Sequence, residues 1–306
     1  MEEAVSGEAI TLLDGGSGSE LRAQGVEVPS HVTSIWSAKA LLDAPDAVVK
    51  VHRDYITAGA DVITVNNYAV TPPLLAREGL ENRFEELTLR AAELALRARD
   101  QSGREIRIAG SMPPLETSYR PDLVGEDEAI LADYRRIAAA LGSRVDVLLC
   151  ETMSSAREAV AAATAAAETG REFWLSWTLQ GNRPDHLPSG ETVPQAHQAV
   201  AQLGAAAYLV NCCGANFVTR VMSTLRGLTD RPVGGYANAA HVIPAAAAEP
   251  LEPTEPDRTP RRPLDVEDYA DAVARWLDAG ATIVGGCCGT RPAHIARLRR
   301  LIDEAG

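Results

Sequence analysis

The sequence predicts a (β/α)8 barrel, the TIM fold, in a single domain spanning residues 1–306, and three observations predict it. Short β-branched or apolar runs recur eight times, each followed by a longer Ala- and Leu-rich stretch. Polar residues and cysteines gather immediately after those runs, as at the C-terminal mouth where barrel enzymes keep their chemistry. The length of 306 residues holds eight such units in one domain. A doubly wound open sheet shares the alternation, and periodicity does not separate the two. The count of eight and the polar strand ends favour the barrel.

In order, the predicted strands are 10–13, 61–65, 106–109, 145–149, 173–179, 206–210, 232–236 and 281–284. Helical spacing fills the intervals: Val48…His52…Ile56, Phe84…Leu87…Ala91…Leu94, Ala129…Tyr134…Ile137…Leu141, Ala156…Val160…Ala163…Ala167 and Tyr269…Val273…Trp276. Ala58-Gly59-Ala60-Asp61 and Ala279-Gly280-Ala281-Thr282 read as helix stops leading straight into a strand, each glycine at the left-handed cap position. The segment 239–263 breaks the rhythm. It is rich in Ala, Pro, Glu and Arg without a usable period, and reads as an irregular insertion, either a lid over the mouth or a solvated loop.

The formal charge of -13 argues against nucleic acid or an anionic membrane as partner. No run is long and apolar enough to span a bilayer, and Met1-Glu2-Glu3-Ala4-Val5 is unlike the start of a secretion signal. Five cysteines are too few for a disulfide scaffold, and an odd number suits a reducing compartment, so the cytoplasm is expected. No exposed apolar stretch specifies an interface, which leaves association into homo-oligomers open.

Four of the five cysteines lie in Asn211-Cys212-Cys213 and Gly285-Gly286-Cys287-Cys288-Gly289, after the sixth and eighth runs. Alternate barrel strands feed the same layer, so these two ends can build one cluster. Strand alternation turns Cys212 and Cys213 to opposite faces, leaving one of them as a ligand. For Cys287 and Cys288 to face inward together, the strand must bend, and the flanking glycines permit it. Three thiolates suit a soft tetrahedral ion such as zinc and leave one position vacant, the mark of a catalytic site. The vacancy suits a sulfur ligand, which coordination deprotonates without making it unreactive. The alternative is four buried thiols that merely pack.

Two other strand ends carry chemistry. Asp14 heads the glycine loop Gly15-Gly16-Ser17-Gly18, and Glu151 follows Cys150 at the end of the fourth run. The glycine loop after Asp14 could bring backbone N–H groups close to an anion, with a tight turn capped by Asp14 as the plainer reading. Glu151, a carboxylate at a barrel mouth, is placed to hold an ammonium group, with a salt bridge to a neighbouring helix as its plainer reading. Cys150 should face the opposite way, as a buried thiol. The dinucleotide pattern Gly-x-Gly-x-x-Gly is absent from the loop.

Asp14-Gly15-Gly16-x-Gly, Ala58-Gly59-Ala60-Asp61-Val62-Ile63-Thr64, Cys150-Glu151-Thr152, Val210-Asn211-Cys212 and Gly285-Gly286-Cys287-Cys288-Gly289-Thr290 closely resemble the homocysteine S-methyltransferase family, nearly end to end. The resemblance implies a zinc-dependent (β/α)8 barrel that methylates homocysteine to methionine. It implies Cys212, Cys287 and Cys288 as zinc ligands, through which they act in catalysis, and no role for Cys213. Asp14 and Glu151 would hold the amino acid's ammonium, and the Gly15-Gly16 backbone its carboxylate. Thr152 stands where betaine users carry an aromatic residue, so the chain looks more like users of S-methylmethionine or S-adenosylmethionine. Such a sulfonium could sit on an aromatic face, with Trp36, Tyr68, Trp177 and Tyr236 as candidates. Tyr236-Ala237-Asn238 and Met112-Pro113-Pro114-Leu115 depart from the family pattern at the mouth and bear on the donor. Betaine or a methylcorrinoid as donor, another thiol or selenol acceptor, and a non-catalytic zinc barrel are the rivals. The partners expected are small molecules, homocysteine and a methyl donor. A thiol redox protein would be expected to carry Cys-x-x-Cys, which the chain lacks.

Overall fold

A computed structural model describes residues 9–30, 34–180, 183–243 and 261–305. The chain runs β1 (Thr11–Leu12), α1 (Ser17–Ala23), α2 (Lys39–Asp43), α3 (Pro45–Thr57), β2 (Val62–Thr64), α4 (Pro72–Ala76), α5 (Phe84–Ser102) and β3 (Arg107–Met112). It continues through α6 (Asp127–Leu141), β4 (Val147–Met153), α7 (Ala156–Glu168), β5 (Phe173–Trp177), α8 (Val193–Val200), β6 (Ala207–Gly214) and α9 (Ala215–Leu228). The last part is β7 (Val233–Asn238), β8 (Ala240–Val242), β9 (Arg261–Pro263), α10 (Val266–Asp278), β10 (Ile283–Gly286) and α11 (Pro292–Ala305).

Every one of the eight predicted runs forms a strand. They build one parallel sheet in the order β1-β10-β7-β6-β5-β4-β3-β2. A bridge from Leu13 to Val62 joins its two outer strands, and the Asp61 N–H donates to Leu12 O at 2.7 Å. The sheet therefore closes as a barrel, which removes the open-sheet alternative. Two apolar layers hold it. Val147, Leu149, Trp174, Leu209 and Ile283 fill the interior, while Leu148, Leu175, Tyr208 and Val210 face the helices. Leu148 and Leu149 thus serve opposite faces, as strand alternation requires. With the interior packed, the mouth is where a ligand can enter.

Helix ends follow local chemistry. α3 starts on Pro45, and Asp265 caps α10 by accepting from the Glu267 and Asp268 N–H groups at 3.0 and 2.9 Å. Gly59 and Gly280 terminate α3 and α10 at φ 105° and 93°, the left-handed stops the sequence predicts.

Two features depart from the sequence reading. β3, β4, β6 and β7 run on past their apolar stretches to Met112, Met153, Gly214 and Asn238, where backbone pairing continues: Met112 lies opposite Cys150, Met153 opposite Trp177 and Gly214 opposite Asn238. The 239–263 segment has a regular stem: β8 and β9 pair antiparallel, Ala240 opposite Pro263 and Val242 opposite Arg261. Asn216 fastens that stem to α9, donating to Val242 O at 2.9 Å and accepting from its N–H at 3.0 Å. Three-residue strands are too short to leave a period in the sequence. Residues 244–260, and with them the expectation of a lid, lie outside the described residues. No helix among the described residues is long and apolar enough to cross a membrane.

Candidate metal centre and amino-acid site

Two barrel strands end in the same irregularity. β4 shifts register between Cys150 and Met153, and β6 between Asn211 and Gly214. Each shift contains a non-glycine residue in the left-handed region, Thr152 at φ 60° and Cys212 at φ 54°. That conformation costs an L-residue about 1–2 kcal/mol, so the surroundings must enforce it. Asn211, wholly buried, is the brace. Its Oδ1 accepts from the Thr152 N–H at 2.9 Å and from Ser176 Oγ at 2.7 Å, and its Nδ2 donates to Thr152 Oγ1 at 2.8 Å. One side chain thereby ties the end of β4, through β5, to the end of β6.

The bulges settle where the cysteines go. Cys212 lines the mouth, whereas Cys213 packs in the outer core, where burial pushes its thiol up to about 12. Cys150 is fully buried in that same layer, and burial raises its thiol well above the ordinary value. β10 stops at Gly286, so Cys287 and Cys288 occupy the turn beyond it rather than a bent strand. Thr290 closes this turn, its N–H and Oγ1 donating to Cys287 O at 3.1 and 2.6 Å. Asn238, at the end of β7, binds both cysteine segments: it donates to Cys212 O at 3.0 Å and accepts from the Cys288 N–H at 3.1 Å. The Tyr119 hydroxyl lies 2.8 Å from Cys212 O and 2.9 Å from its Sγ.

The three sulfurs of Cys212, Cys287 and Cys288 lie within 4.8 Å of one another, with Cys212 and Cys288 at 3.9 Å. Tetrahedral zinc–sulfur bonds of ~2.3 Å place two sulfurs ~3.8 Å apart, so the cluster has the dimensions and the donor chemistry for such an ion. Without an ion, the neighbouring Cys212 and Cys288 thiols and burial raise the Cys287 thiol; a divalent cation reverses that balance. Among the described residues the cluster supplies three donors, one short of a tetrahedral set.

The same cavity, about 520 Å³, is lined by Asp14, Gly15, Gly16 and Glu151 together with the three cysteines. Asp14 is 5 % and Glu151 6 % exposed. Asp14 accepts from the Thr64 N–H at 2.8 Å and its hydroxyl at 3.2 Å; Glu151 accepts from Ser111 Oγ at 2.5 Å and from the Tyr236 hydroxyl at 3.3 Å. Burial raises both carboxyls to about 7, against these hydrogen bonds, and the charge of Glu151 adds to the rise at Asp14. Neither carboxylate pairs with a Lys or Arg among the described residues. Arg22 and Arg261 line the same cavity, but with no ion pair to either carboxyl the two buried groups leave a charge that a ligand's ammonium would complete. Gly16 lets the loop lie on the cysteine turn, since a Cβ there would come within 2.5 Å of Cys287 O. Its N–H donates to Thr290 Oγ1 at 3.2 Å.

All seven residues singled out in the sequence therefore meet at one cavity. The aromatic candidates divide. Tyr68 and Tyr236 line the cavity, whereas Trp177 is fully buried and stacks on Tyr208 with centroids 5.9 Å apart. Trp36 also lines it, but the Arg22 guanidinium lies 4.3 Å over its ring. Sequence reasoning missed the bracing by Asn211 and Asn238, although both residues stand inside quoted motifs. It also missed Thr64, Ser111 and Tyr119, the last in a loop with no period to mark it.

Comparison with known proteins gives a consistent result. A family model described as homocysteine S-methyltransferase matches residues 11–302. The homocysteine S-methyltransferase of Escherichia coli (strain K12) is 32% identical over 95% of this chain and 94% of its own. Homocysteine S-methyltransferase 4 of Zea mays is 29% identical, over 96% and 90%. The crystal structure of the metallated form of the homocysteine methyltransferase MmuM from Escherichia coli superposes with a TM-score of 0.79 at 29% identity, covering 96% of each chain.

Proposed function

Because the chain belongs to the homocysteine S-methyltransferase family, we propose that it moves a methyl group from a sulfonium donor, S-methylmethionine or S-adenosylmethionine, to homocysteine, with zinc held by Cys212, Cys287 and Cys288. The observation that carries this reading is the pairing, in one cavity, of three clustered thiols with two buried carboxyls that make no ion pair among the described residues. A zinc-storage site would need no such ammonium clamp.

Zinc at the three thiolates would keep the acceptor's sulfur deprotonated yet nucleophilic at neutral pH, where a free thiol of pKa ~8.5 is only a few per cent thiolate. The remaining work falls to the chain. Asp14 and Glu151 hold the ammonium of homocysteine, and the Gly15-Gly16 backbone accommodates its carboxylate, which fixes the direction of the acceptor's side chain. The Asn211 and Asn238 braces hold Glu151 and Cys212 at a set separation, so ammonium and sulfur are positioned together. The acceptor's sulfur forms its bond to the methyl carbon while the donor's S–CH3 bond breaks, and the donor leaves as a neutral thioether. The thiol proton has already gone to solvent. A thiolate and a sulfonium thus become two uncharged sulfides, a change that a water-poor cavity favours. Such free thiols suit a reducing compartment, which supports the cytoplasm as its location.

A donor panel on zinc-quantified enzyme tests the reading. With homocysteine as acceptor, methionine should form from S-methylmethionine or S-adenosylmethionine, at rates at least ~10²-fold above betaine, as expected where a site is built for one donor's groups. Transfer from betaine or a methylcorrinoid at equal or greater rate would overturn the sulfonium assignment.

A further inference from the structure

The acceptor's anchors account for the inner part of the cavity; its outer wall on the α1 side is formed by Gly18, Arg22 and Trp36. Trp36 holds φ 46°, a conformation that bulky L-residues avoid and that surrounding structure must enforce. Its indole rests against Gly18, where a Cβ would come 2.7 Å from the ring. Arg22, four residues further along the same face of α1, lays its guanidinium 4.3 Å from the Trp36 ring centroid. Its Nε and Nη2 donate to Val28 O at 3.2 and 2.8 Å, and Nη2 also reaches Pro29 O at 3.3 Å. Arg22 pairs with no carboxylate among the described residues, and its Nη1 makes no hydrogen bond there. Stacking and two loop carbonyls therefore pre-set a planar cation with donors to spare on the α1 side of a cavity whose lining also includes Arg261, Asp14, Glu151 and the three thiols.

We propose that Arg22 anchors the carboxylate of the methyl donor, a carboxylate-bearing sulfonium, on the outer wall of the cavity. This rests on the methyl-transfer reading above and deepens it. A methionine-derived sulfonium brings two cationic groups, which Asp14 and Glu151 attract, and one carboxylate, which they repel; on the α1 side of the cavity Arg22 supplies a complement to that carboxylate. Helical rise sets Arg22 roughly 9 Å beyond Gly16, so the acceptor's carboxylate beside Gly15 and Gly16 and the donor's beside Arg22 occupy different ends of the cavity. Trp36 holds the guanidinium in place and is not the seat of the sulfonium.

The test is calorimetric binding of S-methylmethionine to zinc-loaded wild type, Arg22→Leu and Arg22→Lys, with the methyl ester of S-methylmethionine as the probe lacking a carboxylate, followed by kinetics. Loss of a charged hydrogen-bond donor predicts ~10- to 100-fold weaker binding of S-methylmethionine to Arg22→Leu and partial recovery in Arg22→Lys. The ester should bind wild type weakly and lose nothing further in Arg22→Leu, and the KM for homocysteine should stay within about twofold, since wild-type anchors for the acceptor remain. Equal loss for acid and ester, unchanged affinity for the acid, or a rise in the homocysteine KM instead would each overturn the assignment. Wild type that binds S-methylmethionine through Arg22 but transfers no methyl group would sink the catalytic reading while leaving this one standing.

Discussion

Replacing Cys287 by alanine should release the bound zinc and lower methyl transfer by at least ~10³-fold, beyond the 10- to 100-fold that loss of an outer-shell partner costs. The reason lies in the donor count. Three sulfurs within 4.8 Å of one another form the cluster, and removing one leaves two donors at the end of a packed barrel, too few to keep the ion. The turn itself should survive, because Thr290 holds it through the Cys287 backbone carbonyl rather than through the sulfur. Circular dichroism should therefore report a folded barrel with metal content near zero. Cys213→Ala is the matched control. Its thiol packs in the outer core, so that variant should keep its zinc and its turnover and lose only packing energy. Full activity in a metal-free Cys287→Ala protein would contradict the role given to the cluster.

Asp14→Asn should move binding and stability in opposite directions. Asparagine keeps an oxygen for the Thr64 N–H but removes the charge, so kcat/KM for homocysteine should fall by about 10²- to 10³-fold, as when one partner of a buried charge pair is truncated. The stability effect follows from linkage. Burial lifts the Asp14 carboxyl from 3.8 to about 7, so the folded state keeps a proton that the unfolded chain has already lost between those values. The group's contribution to stability is thus complete below 3.8, falls as pH rises through that window, and above 7 has become a net cost. Asparagine carries no such cost. At pH 8 the ligand-free variant should melt several degrees higher than wild type, about 5 °C, and the gain should vanish near pH 4. The same shift sets ligand binding. Methionine, which has the ammonium but no thiol, should bind zinc-loaded wild type ~10-fold more weakly for each pH unit below 7 at which one carboxyl must be ionised. Unchanged melting in Asp14→Asn together with pH-independent methionine binding would remove the ammonium-clamp assignment.

The barrel was legible in the sequence because its signals are local. Eight apolar runs and two Gly stops, Gly59 and Gly280, depend on neighbours only a few residues away. The cysteine cluster was legible because two cysteine pairs end alternate barrel strands, and the family resemblance of Asn211-Cys212 and Gly286-Cys287-Cys288 pointed to Cys212 rather than Cys213. The rest depends on contacts far apart in the chain. Asn211 meets Thr152 across 59 residues and Asn238 meets Cys288 across 50, and no residue near either one signals its partner. Strand alternation separated Cys212 from Cys213 but could not anticipate the bulge with Cys212 at φ 54°, since only the surrounding hydrogen bonds sustain it. Likewise Trp36 could be noted as an aromatic residue, whereas its cover by Arg22 exists only once α1 has docked.

The central claim is that the three cysteines leave room at the metal for the acceptor's own sulfur. X-ray absorption at the zinc edge of the wild-type protein, before and after addition of homocysteine, reads this directly as the number of sulfur neighbours. The account predicts three sulfurs rising to four, with no change on adding methionine amide or homoserine. A sulfur count that stays at three while the same sample methylates homocysteine would contradict it.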